Sequence, residues 1–182
     1  MNQKKTPMYD WHIKHAAKMV DFGGWQMPVQ YENGILSEHL ATRRSGGLFD
    51  VSHMGRFLIR GRSAVPYLQH VLTGNVEALR TGQAQYTIIA NERGGAIDDA
   101  YLYRFESDEY LLVVNASNAV KDWKHLCEQA EHIEDVALQD ITDEMSMIAF
   151  QGPQTSRILD FLLEDGTIPD PGRNGLSRGV LA

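Results

Sequence analysis

The sequence predicts an α+β fold in which antiparallel sheets are flanked by helices. Between about residues 56 and 142, the predicted elements follow the order strand, helix, three strands, helix, strand. Tight turns at 92–95 and 108–109 join consecutive strands, and turns of this kind pair neighbouring strands antiparallel. The chain of 182 residues, of which 43% are hydrophobic and 23% charged, is long enough for one large or two small cores.

The first fifty-five residues predict two helices separated by a tight loop. A capping hydroxyl at Thr6 and the proline after it favour a helix start, and apolar residues then recur at helical spacing to about Lys18. The segment 21–28 combines two glycines and a proline with large apolar residues, which indicates a buried, tightly turned loop. A second helix spans roughly 34–44, where a glycine pair ends it, and 48–55 is a short strand or extended loop.

The middle of the chain predicts a compact subdomain of strands and two helices. The order of elements is that of a split β-α-β unit with one extra hairpin strand, which predicts a ferredoxin-like subdomain with helices on one face of its sheet. The predicted elements are strands at about 57–61, 86–91, 96–105, 110–115 and 136–141, and helices at about 63–72 and 117–131.

The remaining elements predict a second domain built from two separated parts of the chain. A strand at 145–150 and a helix at 154–163 would rejoin the first fifty-five residues. Beyond them, glycines and prolines without periodicity indicate an irregular, mobile tail. The predicted division is a discontinuous domain of residues 1–55 and 143–165, an inserted subdomain at 56–142, and a tail at 166–182.

Charge and cysteine content argue against several classes of function. A net charge of −7 and a pI near 5.4, without a dense Lys/Arg stripe, argue against nucleic acid as a ligand. No segment approaches the roughly 20 apolar residues of a membrane span, and the start lacks a signal-peptide pattern. The single cysteine, Cys127, lies among apolar residues at helical spacing, which favours buried packing over a reactive thiol. We therefore expect a cytoplasmic protein without membrane or nucleic-acid partners.

A pair of carboxylates, Asp98 and Asp99, lies near the start of a strand after a glycine turn. Adjacent strand residues point to opposite faces, so at most one of the two carboxylates faces a given pocket. A metal site from this pair alone is disfavoured, because Mg²⁺ or Ca²⁺ needs several convergent oxygens. The plainer interpretation is that one aspartate caps the turn and the other is solvated.

Strand alternation places Asp99 on one face together with Tyr101 and Tyr103. Tyr86 on the preceding strand and Asn115 at the end of the next would join this face if the strands pair antiparallel. An acid flanked by aromatic rings at sheet spacing fits a flat heterocycle that forms hydrogen bonds. On these residues alone, ordinary cross-strand packing is the better supported of the two interpretations.

The neighbours Ser52 and His53 raise the possibility of a nucleophile with its base. No Gly-x-Ser-x-Gly turn surrounds the serine, and neighbouring residues diverge on an extended strand, so a structural role is favoured. The seven histidines show no zinc spacing with cysteine and no His-Glu-x-x-His run. No metal is predicted.

Five blocks of the sequence, taken in order, resemble those of one known family. The blocks are residues 19–28, 47–55, 91–99, 113–118 and 149–153. The second contains the run Asp-Val-Ser-His-Met and the third the run Ile-Asp-Asp. They are similar to the glycine cleavage T-proteins, the aminomethyltransferases, over about Thr6 to Leu163. Several ordered blocks at family spacing are far more specific than any single motif.

The resemblance implies a tetrahydrofolate-dependent aminomethyltransferase of the glycine cleavage system. Such an enzyme transfers the methylene of an aminomethyl-lipoyl H-protein to tetrahydrofolate and releases ammonia. The implied partners are lipoylated H-protein and tetrahydrofolate, the one-carbon acceptor, which lies in a central channel of a three-domain fold. The discontinuous domain predicted above would then be part of the folate-binding domain.

The resemblance also assigns roles to individual residues. In the family, the second aspartate of the Ile-Asp-Asp block lies beside the folate nitrogens, which makes Asp99 the catalytic candidate. A carboxylate there can orient the pterin and stabilise positive charge that develops during transfer. The family's folate contacts fall on Met54, Tyr86, Val113 and Asn115. The alternation described above adds a sixth candidate for the binding face, Tyr101.

The resemblance stops before the later part of the family pattern. Family members continue well beyond this length and there supply an Arg-Thr-Gly-Tyr-Thr-Gly-Glu block, further arginines near the folate tail and a barrel-like domain. We therefore expect a truncated chain with weak or absent transferase activity by itself. Two alternatives stay open, namely a folate-dependent demethylase or sarcosine-type one-carbon enzyme, and a non-enzymatic folate-binding remnant.

Overall fold

A computed structural model describes residues 3–169 and 174–182. Its helices are α1 (Tyr9–Lys14), α2 (Gly34–Arg44), α3 (Ala64–Val71), α4 (Ala119–Ala130) and α5 (Thr155–Leu162). Its strands are β1 (Lys4–Lys5), β2 (Lys18–Phe22), β3 (Trp25–Gln30), β4 (Gly47–Asp50), β5 (Gly55–Arg60), β6 (Gln83–Ala90), β7 (Ala96–Arg104), β8 (Glu109–Val114), β9 (Ala137–Asp140), β10 (Ile148–Gln151), β11 (Leu163–Gly166) and β12 (Gly179–Leu181). This mixture of helices and largely antiparallel sheets confirms the predicted α+β class.

The chain divides into two compact units. The first unit comprises Met1–His53, Glu144–Ile168 and Gly179–Ala182, and the second comprises Met54–Asp143 and Pro169–Arg178. Among the residues that the structure describes, no helix is both long and apolar enough to cross a membrane.

The described part of the first unit contains three small sheets. β1 pairs with β3 in parallel and β2 pairs with β3 antiparallel, while β4 pairs with β10 and β11 with β12. The segment 21–28, predicted as an irregular loop, is a hairpin instead. It turns at Gly23 and Gly24, whose φ angles of +60° and +84° are accessible to glycine at little cost.

The first helix is shorter than predicted and ends at Lys14. Ala16 adopts a φ of +54°, a left-handed conformation that stops a helix and leads the chain into β2. Apolar spacing alone does not reveal such a stop, because the apolar residues that follow belong to the strand.

The tail at 166–182 is more regular than the irregular segment predicted from its composition. β12 pairs antiparallel with β11, and residues 174–178 join the second unit through main-chain hydrogen bonds. Leu176 N donates to Gly82 O at 2.9 Å, and Ala84 N donates to Asn174 O at 2.8 Å. These bonds use the backbone, so they need no side-chain periodicity. Part of the predicted tail, residues 170–173, lies outside the described residues.

The second unit contains a five-stranded antiparallel sheet in the order β6-β7-β8-β5-β9. Helices α3 and α4 contact each other, and Tyr67 Oη donates to the carbonyl of Leu126 at 2.8 Å. One face of the sheet and these helices form the core, in which each large aliphatic side chain contributes about 1.5–3 kcal/mol. Fully buried members include Phe57, Ile59, Leu68, Leu102, Leu112 and Leu126.

Replacing Gly61 by alanine should lower the free energy of unfolding by about 3 kcal/mol or more. Gly61 has a φ of +123°, and a Cβ there would collide with the carbonyl oxygen of Asp135. Urea unfolding followed by circular dichroism measures the loss. The matched control is Gly94→Ala, at φ +74° with no described atom within 4 Å of the new Cβ, which should cost only about 1 kcal/mol. Equal losses in the two variants would contradict the steric account.

Candidate functional site

The register of the second unit's sheet aligns three of the predicted site residues in one row. Tyr86 on β6 pairs with Tyr101 on β7, and Tyr101 pairs with Val113 on β8. Directly paired residues of antiparallel strands lie on the same face of a sheet. Tyr86, Tyr101 and Val113 therefore share one face, which alternation and hairpin pairing predicted for the two tyrosines.

Asp99 lies on the same face, two residues before Tyr101, and Asn115 holds its carboxylate. The Nδ2 atom of Asn115 donates to Asp99 Oδ1 at 2.9 Å and to Asp98 Oδ1 at 3.1 Å. An amide nitrogen carries two hydrogens, so one amide serves both carboxylates. The plainer interpretation of the pair, a turn cap and a solvated group, did not include this shared amide donor.

The face around Asp99 combines charge with exposed aromatic surface. Tyr86 is 62% exposed, and Asp99 is also exposed. Desolvation, followed by the hydrogen bond and charge of Asp99, raises the pKa of Tyr86 above its ordinary value. The rings of Tyr101 and Tyr103 lie 5.2 Å apart at a tilt of 47°. The face thus presents a carboxylate, an amide and phenol rings side by side.

Two further contacts involve the row of Tyr86, Tyr101 and Val113, which is called the aromatic row below. The hydroxyl of Tyr101 donates to Asn174 Oδ1, which ties the row to the segment 174–178. Val113 is buried and pairs with Arg56 on β5. Met54 directly precedes β5, and its carbonyl accepts a hydrogen bond of 2.8 Å from the Arg56 guanidinium.

Arg56 is a member of this row that sequence reasoning missed. Its side chain is only 2% exposed, and its guanidinium also donates to the carbonyl of Thr142. A single arginine on a strand ordinarily indicates a solvated position. Strand alternation could have indicated its position, because Arg56 lies two residues after Met54 and would share the same face of the strand.

Asp98 lies on the other face of β7, toward α4. Its neighbour there is Asp122, whose side chain is completely buried. Burial and the nearby carboxyl of Asp98 raise the pKa of Asp122 to about 7. Asp122 is a second residue that the sequence analysis did not identify.

The first unit contains a separate polar cluster that the sequence analysis also missed. His12 is buried, with Nε2 2.9 Å from Asp50 Oδ2 and Nδ1 2.7 Å from the hydroxyl of Tyr31. Although burial opposes it, hydrogen bonds from His12 and Ser52 hold the pKa of Asp50 below its usual value. The cluster borders a cavity of about 480 Å³, also lined by Trp11. These partners are far apart in the sequence, so no local spacing indicates them.

Ser52 and His53 have the structural role that the sequence favoured. The hydroxyl of Ser52 donates to Met147 O at 3.2 Å and accepts from Met147 N at 3.0 Å. The His53 ring packs edge-on against Phe22, with centroids 5.4 Å apart. Within residues 3–169 and 174–182, no group of three or more His, Cys, Asp or Glu residues is arranged to hold a metal ion.

Comparisons with known proteins agree on one family. Residues 8–170 match the family described as GCVT N-terminal domain. The aminomethyltransferase of Prosthecochloris aestuarii is 48% identical over 163 residues, which cover 90% of this chain and 45% of that protein. An aminomethyltransferase of Thermus thermophilus is 47% identical over 161 residues, which cover 88% of this chain and 46% of that protein.

A solved structure gives the same result at the level of the fold. The crystal structure of glycine cleavage system aminomethyltransferase T from Bartonella henselae matches with a TM-score of 0.82 and 36% identity. The match covers 92% of this chain and 48% of that one. The chain therefore spans about half the length of the relatives that it matches.

Replacing Asn115 by aspartate should destabilise the chain by about 2 kcal/mol at neutral pH. The change replaces two N–H donors by an acceptor and places a third carboxylate between Asp98 and Asp99. Chemical denaturation measures the loss, which should shrink on acidification as the new carboxyl gains a proton.

The matched control for this substitution is Asn91→Asp. The Oδ1 atom of Asn91 accepts hydrogen bonds from the backbone N–H groups of Arg93 and Gly95, at 2.9 and 3.0 Å, a role that aspartate can also fill. Its stability should change little. If Asn115→Asp were equally well tolerated, the amide bridge would not be holding the two carboxylates.

Proposed function

This chain belongs to the GCVT N-terminal domain family, and we propose that it takes part in the aminomethyltransferase reaction of the glycine cleavage system. In this reaction the methylene carried by an aminomethyl-lipoyl H-protein passes to tetrahydrofolate, and ammonia is released. The observation that carries the proposal is the face on which Asp99, Asn115 and Tyr86 meet beside the aromatic row. The names of the curated relatives favour aminomethyl transfer over the alternative of demethylation.

The residues of this face fit a reduced pterin. Asp99 offers acceptor oxygens to ring N–H groups, and its orientation is fixed by the Asn115 amide at 2.9 Å. The exposed ring of Tyr86 offers a surface for stacking against a flat heterocycle. Tetrahydrofolate, when bound, supplies the nitrogens that accept the one-carbon unit.

Asp99 is the proposed catalytic residue. A carboxylate held in advance near the reacting nitrogens stabilises positive charge as it develops, and it does so without reorganising during the reaction. For scale, removing one preorganised donor from an oxyanion hole raises an activation barrier by about 2.7–4 kcal/mol. Holding the two reactants in contact geometry contributes further to the rate.

The proposed binding residues are Met54, Tyr86, Tyr101, Val113 and Asn115, together with Asp99. The register supports this set, because Tyr86, Tyr101 and Val113 form one row across β6, β7 and β8. Gly55, the residue after Met54, pairs with Val114, the residue before Asn115. Met54 and Asn115 therefore lie at the same end of the sheet.

We also propose that residues 56–142 form a ferredoxin-like subdomain inserted in a discontinuous folate-binding domain made of 1–55 and 143–165. The order β9-β5-β8-β7, with one helix after β5 and another after β8, supports this, with β6 as an added edge strand. The separate grouping of 54–143 supports the insertion. The proposed location is the cytoplasm, where a single cysteine stays reduced.

Replacing Asp99 by asparagine should weaken tetrahydrofolate binding by the chain about 10- to 100-fold, because a charge-assisted hydrogen bond is worth about 1.5–3 kcal/mol. Titration followed by calorimetry measures the affinity. Asp108→Asn, at an exposed turn between β7 and β8, is the matched control and should bind as the unaltered chain does.

Two outcomes would contradict the proposed function. One is the absence of saturable tetrahydrofolate binding in the unaltered chain, and the other is an equal loss of affinity in both aspartate variants. Ammonia release from aminomethyl-lipoyl H-protein, measured against demethylation of a methylated amine, then distinguishes the proposed reaction from the demethylase alternative.

A further inference from the structure

Behind the exposed Asp99 face, the structure places two more carboxyl groups in contact. Asp98 projects from β7 toward α4, and Asp122 on α4 is completely buried. Among the described residues, no N–H donor lies within hydrogen-bonding range of either oxygen of Asp122. The nearest cation is the Lys121 ammonium, 3.9 Å from Asp122 Oδ1, and it also donates to the carbonyl of Ile97 at 2.8 Å.

Asp122 is buried and Asp98 half-buried, and two carboxyl groups in contact there cannot both be ionised without strong repulsion, so they share a proton. Burial, the hydrogen bond with Asp98 and the charges of Asp98 and Asp99 raise the pKa of Asp122, and Lys121 opposes this rise. Burial would also raise the pKa of Asp98, but hydrogen bonds from Asn115, Asp122 and Asn118 lower it. The proton of the pair therefore resides on Asp122, and Asp98 is the ionised partner.

The pair is connected to the exposed face through one amide group. Asp122, when protonated, donates to Asp98, and Asp98 Oδ1 accepts one hydrogen of Asn115 Nδ2 at 3.1 Å. The other amide hydrogen goes to Asp99 Oδ1 at 2.9 Å. Loss of the shared proton would place two adjacent negative charges, one of them buried, beside the amide and weaken its hold on Asp99.

We propose that Asp98 and Asp122 share one proton and act as positioning residues, which orient the Asn115 amide and, through it, the carboxylate of Asp99. The use of this arrangement in folate binding rests on the proposed function. The shared proton is a property of the fold and can be tested separately. A pair that only filled space in the core would leave the side-chain amide of Asn115 insensitive to pH.

Nitrogen NMR of the whole chain tests the shared proton. The side-chain amide signal of Asn115, assigned from its loss in Asn115→Ser, should shift with a midpoint near pH 7. In Asp122→Asn the shift should disappear, because an amide can donate to Asp98 at every pH and cannot titrate. Glu128→Gln, an exposed position on the same helix, is the control and should keep the shift.

A pH-insensitive Asn115 amide in the unaltered chain, or a shift that persists in Asp122→Asn, would overturn the proposal. If Asp122→Asn does not fold, carbon NMR of the aspartate carboxyl groups in the unaltered chain tests the shared proton instead. One carboxyl titrating near neutrality supports the pair, and aspartates that all titrate in the ordinary acidic range overturn it.

The affinity for tetrahydrofolate, measured below and above neutral pH, tests whether the pair of Asp98 and Asp122 orients Asp99 for binding. In the unaltered chain the affinity should fall several-fold as the pH rises through the midpoint, because the ionised Asp122 repels Asp98 and Asp99. In Asp122→Asn it should stay constant. An unaltered chain that binds with the same affinity on both sides overturns the positioning role. Absence of binding at every pH contradicts the proposed function instead, while the NMR result still decides on the shared proton.

Discussion

The antiparallel pairing of β7 with β8 is the constraint on which the candidate site depends. The pairing sets Tyr101 beside Val113 and brings the end of β8, where Asn115 lies, next to Asp99. Shifting the register by one residue would move every side chain of β7 to the opposite face. Asp98, Ala100 and Leu102 would then be exposed. Burial of the apolar face of the sheet therefore stabilises the strand register on which the arrangement of the polar face depends.

Each unit also contains a buried polar network, and each network joins separate elements. In the first unit, His12 on α1 contacts Asp50 at the end of β4 and Tyr31 just after β3. In the second, Asp122 on α4 contacts Asp98 on β7. Buried polar groups are costly unless paired, so each pair restricts how its elements can pack. The second network reaches the exposed carboxylate of Asp99 through the Asn115 amide.

The sequence predicted those features that depend on local spacing. Alternation on β7 and the hairpin turns placed Asp99, Tyr86 and Tyr101 on one face, because the two-residue period is fixed by the backbone. Asp122 was missed because its partner is brought near only by the packing of α4. Arg56 was missed because a strand arginine ordinarily lies in solvent. β12 was missed because its pairing is formed by main-chain groups, which impose no recognisable pattern on the sequence of side chains.

The central claim is that the Asp99 face receives a reduced pterin, and a crystal structure of the chain with tetrahydrofolate tests it most directly. We expect the pterin to lie against the Tyr86 ring, with an Asp99 oxygen within hydrogen-bonding distance of a ring nitrogen and the Asn115 amide still bridging Asp98 and Asp99. Pterin density away from this face, or an Asp99 carboxylate turned to solvent in the complex, would contradict it.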